Sequence, residues 1–397
     1  MAENVEIIKG TSLWGDAWKR LLKNKLAVFG LVVLALMVIA VTAGPYIIRW
    51  ATGFTADYIP SNVDEGDLVR SFPPSTLHPM GTDDSGRDLL ARVLQGGRIS
   101  LMVGIISTFV SLIVGVSYGA IAGYMGGRID NLMMRIVDII YAIPYILIVI
   151  VLLSVFGGPN TLVLIGALPV MITIFISLII LAVILYTANK AVFGQLDEKV
   201  NIYLLTLLKL IFAVLSIALV VAAIWANLQL NEAVLAGFGD WLGEKYSANV
   251  NQGISQILLL FFALGLVSWL TMARVVRGQV LSLKNQEFVL AAKATGVSSF
   301  GIIFRHLVPN ALGPVIVYAT LTVPSVMLTE AFLSFLGLGV QAPYASWGSL
   351  ASEGIKNISI FPWQMIFPGV TMALTLFSLN FLGDGLRDAL DPQTRKF

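Results

Sequence analysis

The chain has no cysteine. Disulfides, thiol chemistry and cysteine-ligated metals are thereby excluded. Histidine is almost missing: His78 and His306 stand far apart in sequence and are poor material for a metal site. Charge is scarce as well. Charged residues make up 12% of 397 residues, against about 25% in soluble domains. No soluble surface can be built from so few, and no long stretch has the composition of an extramembrane enzyme domain. The net charge of +2 gives no electrostatic reason to invoke nucleic acid. The pattern Gly-x-x-x-x-Gly-Lys-Ser/Thr does not occur, so the chain has no P-loop to cradle ATP.

What is abundant is apolar, at 57% of residues. A membrane-spanning helix needs about 20 mainly apolar residues. Eight runs qualify, at 26–48, 100–124, 132–156, 161–187, 203–227, 255–273, 311–335 and 363–383. The fold class is therefore an all-α polytopic membrane protein. The first run exceeds the about 7–15 residues of a signal-peptide core, so it is expected to stay in the protein as a helix. With the N-terminus inside, 17 Lys and Arg fall on the inner side and 7 on the outer side. The positive-inside rule then predicts N-in and C-in. Segments 49–99, 228–254 and 336–362 lie outside, and 274–310 is the one long inner loop.

That loop reads Lys284-Asn285-Gln286-Glu287-Phe288-Val289-Leu290-Ala291-Ala292-Lys293-Ala294-Thr295-Gly296. Asn285 suits a helix cap, Glu287 suits the first turn, and Gly296 suits a stop. Ser298 or Ser299 is expected to cap a second short helix that stops before Pro309. Small residues give the first helix a slim surface that fits a groove of another protein. An ordinary amphipathic connector would carry the same pattern.

Ala291, Ala292, Gly296 and Pro309 match the spacing of the EAA loop of bacterial ABC importer permeases. Leu290 stands where that motif has Glu, and His306 and Val308 replace its Ile and Leu, so no salt bridge from that Glu is implied. The stretch His78-Pro79-Met80-Gly81-Thr82-Asp83-Asp84-Ser85-Gly86-Arg87-Asp88 resembles the "C" subunit of the dipeptide/oligopeptide/nickel permeases. So do Arg135-Ile136-Val137-Asp138, the run Thr329 to Gly339, Ser346-Trp347-Gly348 and Ala389-Leu390-Asp391-Pro392.

This resemblance implies a six-helix permease core in a bacterial or archaeal cytoplasmic membrane. It implies a sister permease, two ABC ATPase subunits and an extracytoplasmic binding protein as partners, with lipid around them. It implies no cofactor in this chain, ATP and Mg being bound by the ATPases. Glu287, Ala291, Ala292, Gly296 and Pro309 become the ATPase-coupling candidates. Asp83, Arg87, Asp88, Glu330 and Trp347 become candidates for the outer cap or gate. Peptides are the first substrate expectation, with oligosaccharides and nickel chelates as alternatives.

The expected organisation is a cytoplasmic segment 1–25, a first spanning helix 26–48 and an outer cap 49–99. A permease core follows at 100–157 and 254–397, interrupted by 158–253. The interruption departs from the family and carries two apolar runs, which are expected to form a peripheral spanning hairpin. An even number of added spans keeps later loops on their original sides. Lys209 in this insert is expected to snorkel.

Other signals are weaker. Gly115-Val116-Ser117-Tyr118-Gly119 fits a nucleophile-elbow pattern but lies in a spanning run, without the strand and turn an elbow requires. Gly115, Gly119 and Gly123 instead form a small-xxx-small stripe for close helix packing. Asp138 is expected to pair with Arg135 one turn away, and Glu330 either lines the pathway or caps the gate. An ion-coupled transporter would want paired carboxylates beside broken helices. Pro144 and Pro324 are candidate breaks, but no such pair accompanies them. An intramembrane protease would need a catalytic pair that is not evident. An importer permease explains these features best and is not itself an enzyme.

Overall fold

The computed structural model describes residues 13–59, 71–156, 248–342 and 344–390. Among them the fold is helical, with one isolated bridge between Thr82 and Asp88. The helices are α1 (Leu13–Leu21), α2 (Lys25–Thr52), α3 (Leu89–Met125), α4 (Gly127–Ala142) and α5 (Tyr145–Phe156). Further along the chain come α6 (Ala248–Leu283), α7 (Glu287–Ala294), α8 (Ser299–Phe335), α9 (Trp347–Ile355) and α10 (Trp363–Leu390). Among the described residues, five helices are long and apolar enough to cross a membrane: α2, α3, α6 from Ile257, α8 and α10.

The chain divides into two compact units, Met1–Ser154 with Leu260–Phe397, and Val155–Leu259. Of the second, only the adjoining ends of α5 and α6 are described. The spans expected at 161–187 and 203–227, with Lys209, lie outside the described residues.

Local chemistry sets the helix limits in the first unit. Asn24 caps α2 by accepting from the Leu26 and Ala27 amides, and Gly53 at φ 77° ends it. Asp88 caps α3 through the Ala91 amide. The span expected at 100–124 is therefore the later part of a helix that starts at Leu89.

Two expectations need correction. The run 132–156 is not one helix: it breaks at Ile143, which is extended (φ −84°, ψ 128°), just before Pro144. Proline has no N–H to donate and drives its predecessor out of the helical region. Conversely, the loop helix does not stop before Pro309. Residues Ile302–Leu307 form a π-helical stretch, and the Val308 amide reaches back to Ile303. Pro309 then falls in the first turn of the following α-helical part, where the widened π-helical turn before it accommodates the ring and the missing N–H. Pro324 sits inside α8 without breaking it.

One core cluster gathers Val41, Leu89, Val93, Met327, Trp347, Leu350 and Leu379 near the start of α3. Another gathers Met272, Val276, Val280, Val289, Ile302, Ile303 and Leu307 near its end. A helix of the 37 residues of α3 is about 55 Å long, so the two clusters mark opposite ends of the unit. A smaller cluster joins Ala17 and Leu21 of amphipathic α1 to Ala27 and Ala389.

Candidate functional site

At the end of the unit beyond α3, α7 stands on a packed base. Gln286, not the expected Asn285, is its N-cap, and it makes no side-chain capping bond. Glu287 lies in the first turn, where its charge favours the helix dipole. Gly296, at φ 78°, closes the helix. Its amide donates to the Lys293 carbonyl at 3.1 Å, and the Val297 amide donates to Ala292 at 3.1 Å. These two bonds form a Schellman stop, which needs the left-handed conformation glycine adopts freely.

Burial splits the two alanines. Ala292 and Val289 pack inward with Ile302, Ile303 and Leu307. Ala291 is exposed, beside Phe288 and Leu290, the latter 51% exposed. Phe300, 71% exposed, holds its ring centroid 4.5 Å from that of Phe304 on the next turn, in a tilted pair. Pro309 is exposed at the base. The sequence pattern singled out small residues here. Phe288, Leu290 and Phe300 were missed as a group, although three large apolar residues in a polar loop were the available signal.

The base is held by charge. Arg277 grips Asp130 of α4 with two bonds, 2.5 and 2.7 Å, the fork geometry that makes such pairs strong. The Lys284 ammonium reaches the Gly123 carbonyl at 3.4 Å. The pair expected between Asp138 and Arg135 is corrected: Asp138 accepts from Arg274 of α6 at 2.7 Å. Arg274 also lies over the Tyr141 ring at 4.2 Å, so an aromatic face and a carboxylate together draw it across to α4. The glycine stripe packs against α6. A Cβ at Gly115 would lie 2.6 Å from Cβ of Met272, one at Gly119 would overlap the Ala273 carbonyl, and one at Gly123 would lie 3.0 Å from the Arg277 carbonyl.

At the opposite end, residues 71–88 form a folded cap. Gly81 has φ 77°, and a Cβ there would meet the Phe72 carbonyl at 2.7 Å. Asp83 is the hub. Its Oδ1 accepts the Ser85 and Arg87 amides, and its Oδ2 accepts Arg87 Nε at 2.7 Å and Arg92 Nη1 at 2.6 Å. Arg92, only 5% exposed, also donates to Glu353 of α9 at 2.9 Å. Asp84 accepts from Ser71 and Asn357. Asp88 caps α3 and bonds His78 Nδ1 at 2.9 Å, with Phe54 stacked 5.0 Å from the histidine ring. Arg92 and Glu353 went unnoticed in the sequence, because their partners are set by packing.

Glu330 is buried, at 1% exposure, and so lines no surface of this chain. Its Oε1 accepts from Ser334 at 2.8 Å and Ser346 at 2.7 Å. Ser346 in turn opens α9 with a capping box to Ser349. Trp347 follows, fully buried, donating through Nε1 to the Val93 carbonyl and through its amide to Ser100. Glu330 thus anchors the start of α9 onto α8. Replacing Glu330 by alanine strands two buried hydroxyls and is expected to cost about 1–3 kcal/mol. Glu330→Gln retains an acceptor and should stay much closer to the parent. Thermal unfolding in detergent checks the pair, and equal losses would refute the anchoring role.

Among the described residues, no group of three or more His, Asp or Glu could hold a metal ion. The geometry is mechanical, with a braced cap at one end and an exposed apolar knob on a rigid base at the other.

Residues 115–396 match the family described as binding-protein-dependent transport system inner membrane component. Residues 12–64 match the N-terminal TM domain of oligopeptide transport permease C. The chain is 37% identical to the oligopeptide transport system permease protein OppC of Haemophilus influenzae over 388 residues, 98% of this chain and 91% of that protein. It is 36% identical to the dipeptide transport system permease protein DppC of Bacillus subtilis over 383 residues, 96% of this chain and 86% of that protein. It is 37% identical to OppC of Escherichia coli K12 over 395 residues, 99% of this chain and 95% of that protein. With five apolar helices among the described residues and family matches across the chain, this is a multi-pass protein of the cytoplasmic membrane that belongs to the binding-protein-dependent transport system inner membrane component family.

Proposed function

We propose that this chain is the permease subunit of an ATP-driven importer of di- and oligopeptides. It forms the translocation path with a sister permease. Two separate ATPase subunits bind ATP and Mg and hydrolyse the nucleotide, and an extracytoplasmic binding protein delivers the peptide. The peptide assignment is supported by the oligopeptide and dipeptide permeases to which the chain is similar.

The observation that carries the reading is α7. It is a short helix with a glycine stop, an exposed apolar face and a charge-clamped base. Such an element passes motion between subunits as a rigid body. In this reading the chain spans the membrane eight times, N-in and C-in, and α7 faces the cytoplasm. Glu287, Ala291 and Gly296 meet the ATPase together with Phe288, Leu290 and Phe300, while Ala292 and Pro309 support that face from behind. Asp83, Arg87, Asp88, Glu330 and Trp347 brace the outer end. The insert 158–253 adds a peripheral spanning hairpin to the six-helix core.

The test is uptake of a labelled peptide by cells or proteoliposomes holding the full set of subunits. ATP-dependent uptake that disappears without this chain is expected. Uptake driven by an ion gradient without ATP would overturn the reading. Transport of oligosaccharides or nickel chelates alone would overturn the peptide assignment.

A coupling variant sharpens the test. Gly296→Val forces a β-branched residue to φ 78°, a strain of about 1–2 kcal/mol. Among the described residues no neighbour lies within 4 Å of the added Cβ, so the damage is confined to the turn. Membrane insertion should persist while uptake falls severalfold. Full uptake with normal ATPase co-purification would show that the turn is not part of the coupling.

A further inference from the structure

The break at Ile143–Pro144 opens a cavity of about 320 Å³ bounded by α4, α5, α6 and α8. Residues 141–145 are all exposed. They lie at the centre of the 132–156 apolar run. The facing residues run from mid-span inward: Ser325 is near the middle of the 311–335 apolar run, and Thr271 is near the inner end of the 255–273 run. An interrupted backbone at that depth is not tolerated against lipid. It persists only where protein covers it or where it lines a water-filled space.

The lining is chemically distinctive. It carries hydroxyls from Tyr141, Tyr145, Ser268, Thr271, Tyr318, Ser325 and Thr329. Among the described lining residues there is no Asp, Glu, Lys, Arg or His. The bordering charges, Asp138 and Arg274, pair with each other at 2.7 Å, with Arg274 lying 4.2 Å over the Tyr141 ring. Tyr141 and Thr271 share a 3.0 Å bond across the cavity wall. Ser268 and Thr329 donate to the Leu264 and Ser325 carbonyls of their own helices at 2.9 Å, which leaves their oxygen lone pairs to accept from a partner.

A peptide backbone presents donors and acceptors in a repeating series whatever its side chains. We infer that this cavity is where the chain contacts peptide in transit, through hydroxyls that bond backbone amides without sorting side-chain charge. The inference rests on the peptide-permease reading and adds to it the contact residues and the basis of their tolerance.

The test uses the complete transporter, with sister permease, ATPases and binding protein, in proteoliposomes. The chain has no cysteine of its own, so single-cysteine variants report cleanly. Ser268→Cys and Ser325→Cys should react with a hydrophilic thiol reagent, and a saturating transported peptide during turnover should slow that reaction severalfold. Leu36→Cys on α2, an exposed apolar position, should not react. Thr271→Val should lower uptake about two- to tenfold, the worth of one hydrogen bond. The loss should be equal for acidic, basic and neutral peptides.

Unreactive cysteines in a transporter with intact peptide uptake would mean that the sister permease or lipid fills the cavity, and would overturn the inference alone. A Thr271→Val loss confined to one charge class would overturn the neutral-wall mechanism. If the unmodified transporter takes up no peptide, the underlying reading fails, and this inference with it.

Discussion

Arg92→Ala is expected to destabilise the protein by about 3–5 kcal/mol, the usual cost of breaking a buried ion pair from one side. Arg92 is almost wholly buried and bridges Asp83 at 2.6 Å to Glu353 at 2.9 Å. Its removal leaves Asp83, itself buried, with Arg87 as the only arginine among the described residues bonded to its carboxylate. The cap and α9 also lose their ionic link. Glu353 is different, because its side chain is half exposed. Water stabilises its charge in either case, so Glu353→Gln should cost under about 1 kcal/mol. Thermal unfolding of the purified protein in detergent measures both. Similar losses from the two variants would show that the buried arginine is not the centre of the network.

Gly119→Leu is expected to cost about 3 kcal/mol, at the upper end of overpacking penalties, and to reduce the yield of folded protein. The obstacle at Gly119 is the Ala273 main chain, with its carbonyl carbon 3.0 Å from an added Cβ, and Val276 Cβ also at 3.0 Å. A backbone atom cannot swing aside as a side-chain tip can, so α3 and α6 must separate. Their separation would also pull on the Lys284 contact to Gly123 and thus on the base of α7. Gly278 provides the control, since nothing among the described residues lies within 4 Å of a Cβ there. Gly278→Ala should be neutral or stabilising by up to about 1 kcal/mol, the helix-propensity difference. Detergent unfolding curves decide between them, and a tolerated leucine at Gly119 would remove the seam from the account.

Several features were legible from the residues alone. Apolar runs of spanning length identified α2, α3, α6, α8 and α10, because a membrane span is a local property of composition. The stop at Gly296 was legible, and the cap was narrowed to Ser298 or Ser299, of which Ser298 serves, for the same reason: each is settled by backbone geometry within a few residues. The glycine stripe was readable from its spacing of four, which puts small residues on one helix face. The motifs, taken in order along the chain, pointed to the family later matched over residues 115–396.

Only the tertiary structure decided which proline breaks its helix. Pro144 does, whereas Pro45, Pro314, Pro324 and Pro368 remain inside theirs. A proline always removes one hydrogen bond, but whether the helix continues depends on neighbouring helices that hold the two halves in line. The π-helical stretch before Pro309 is a further adjustment of this kind. Partner choice was equally hidden. Asp138 takes Arg274, 136 positions away, over Arg135 on its own helix. Arg92 finds Glu353 at a separation of 261. Glu330, polar and near a helix end, is turned inward to hold Ser346. Local patterns fix which segments become helices and where they stop. Pairing between distant charges follows from how those helices pack, since a buried charge must take whatever partner the packing brings within reach.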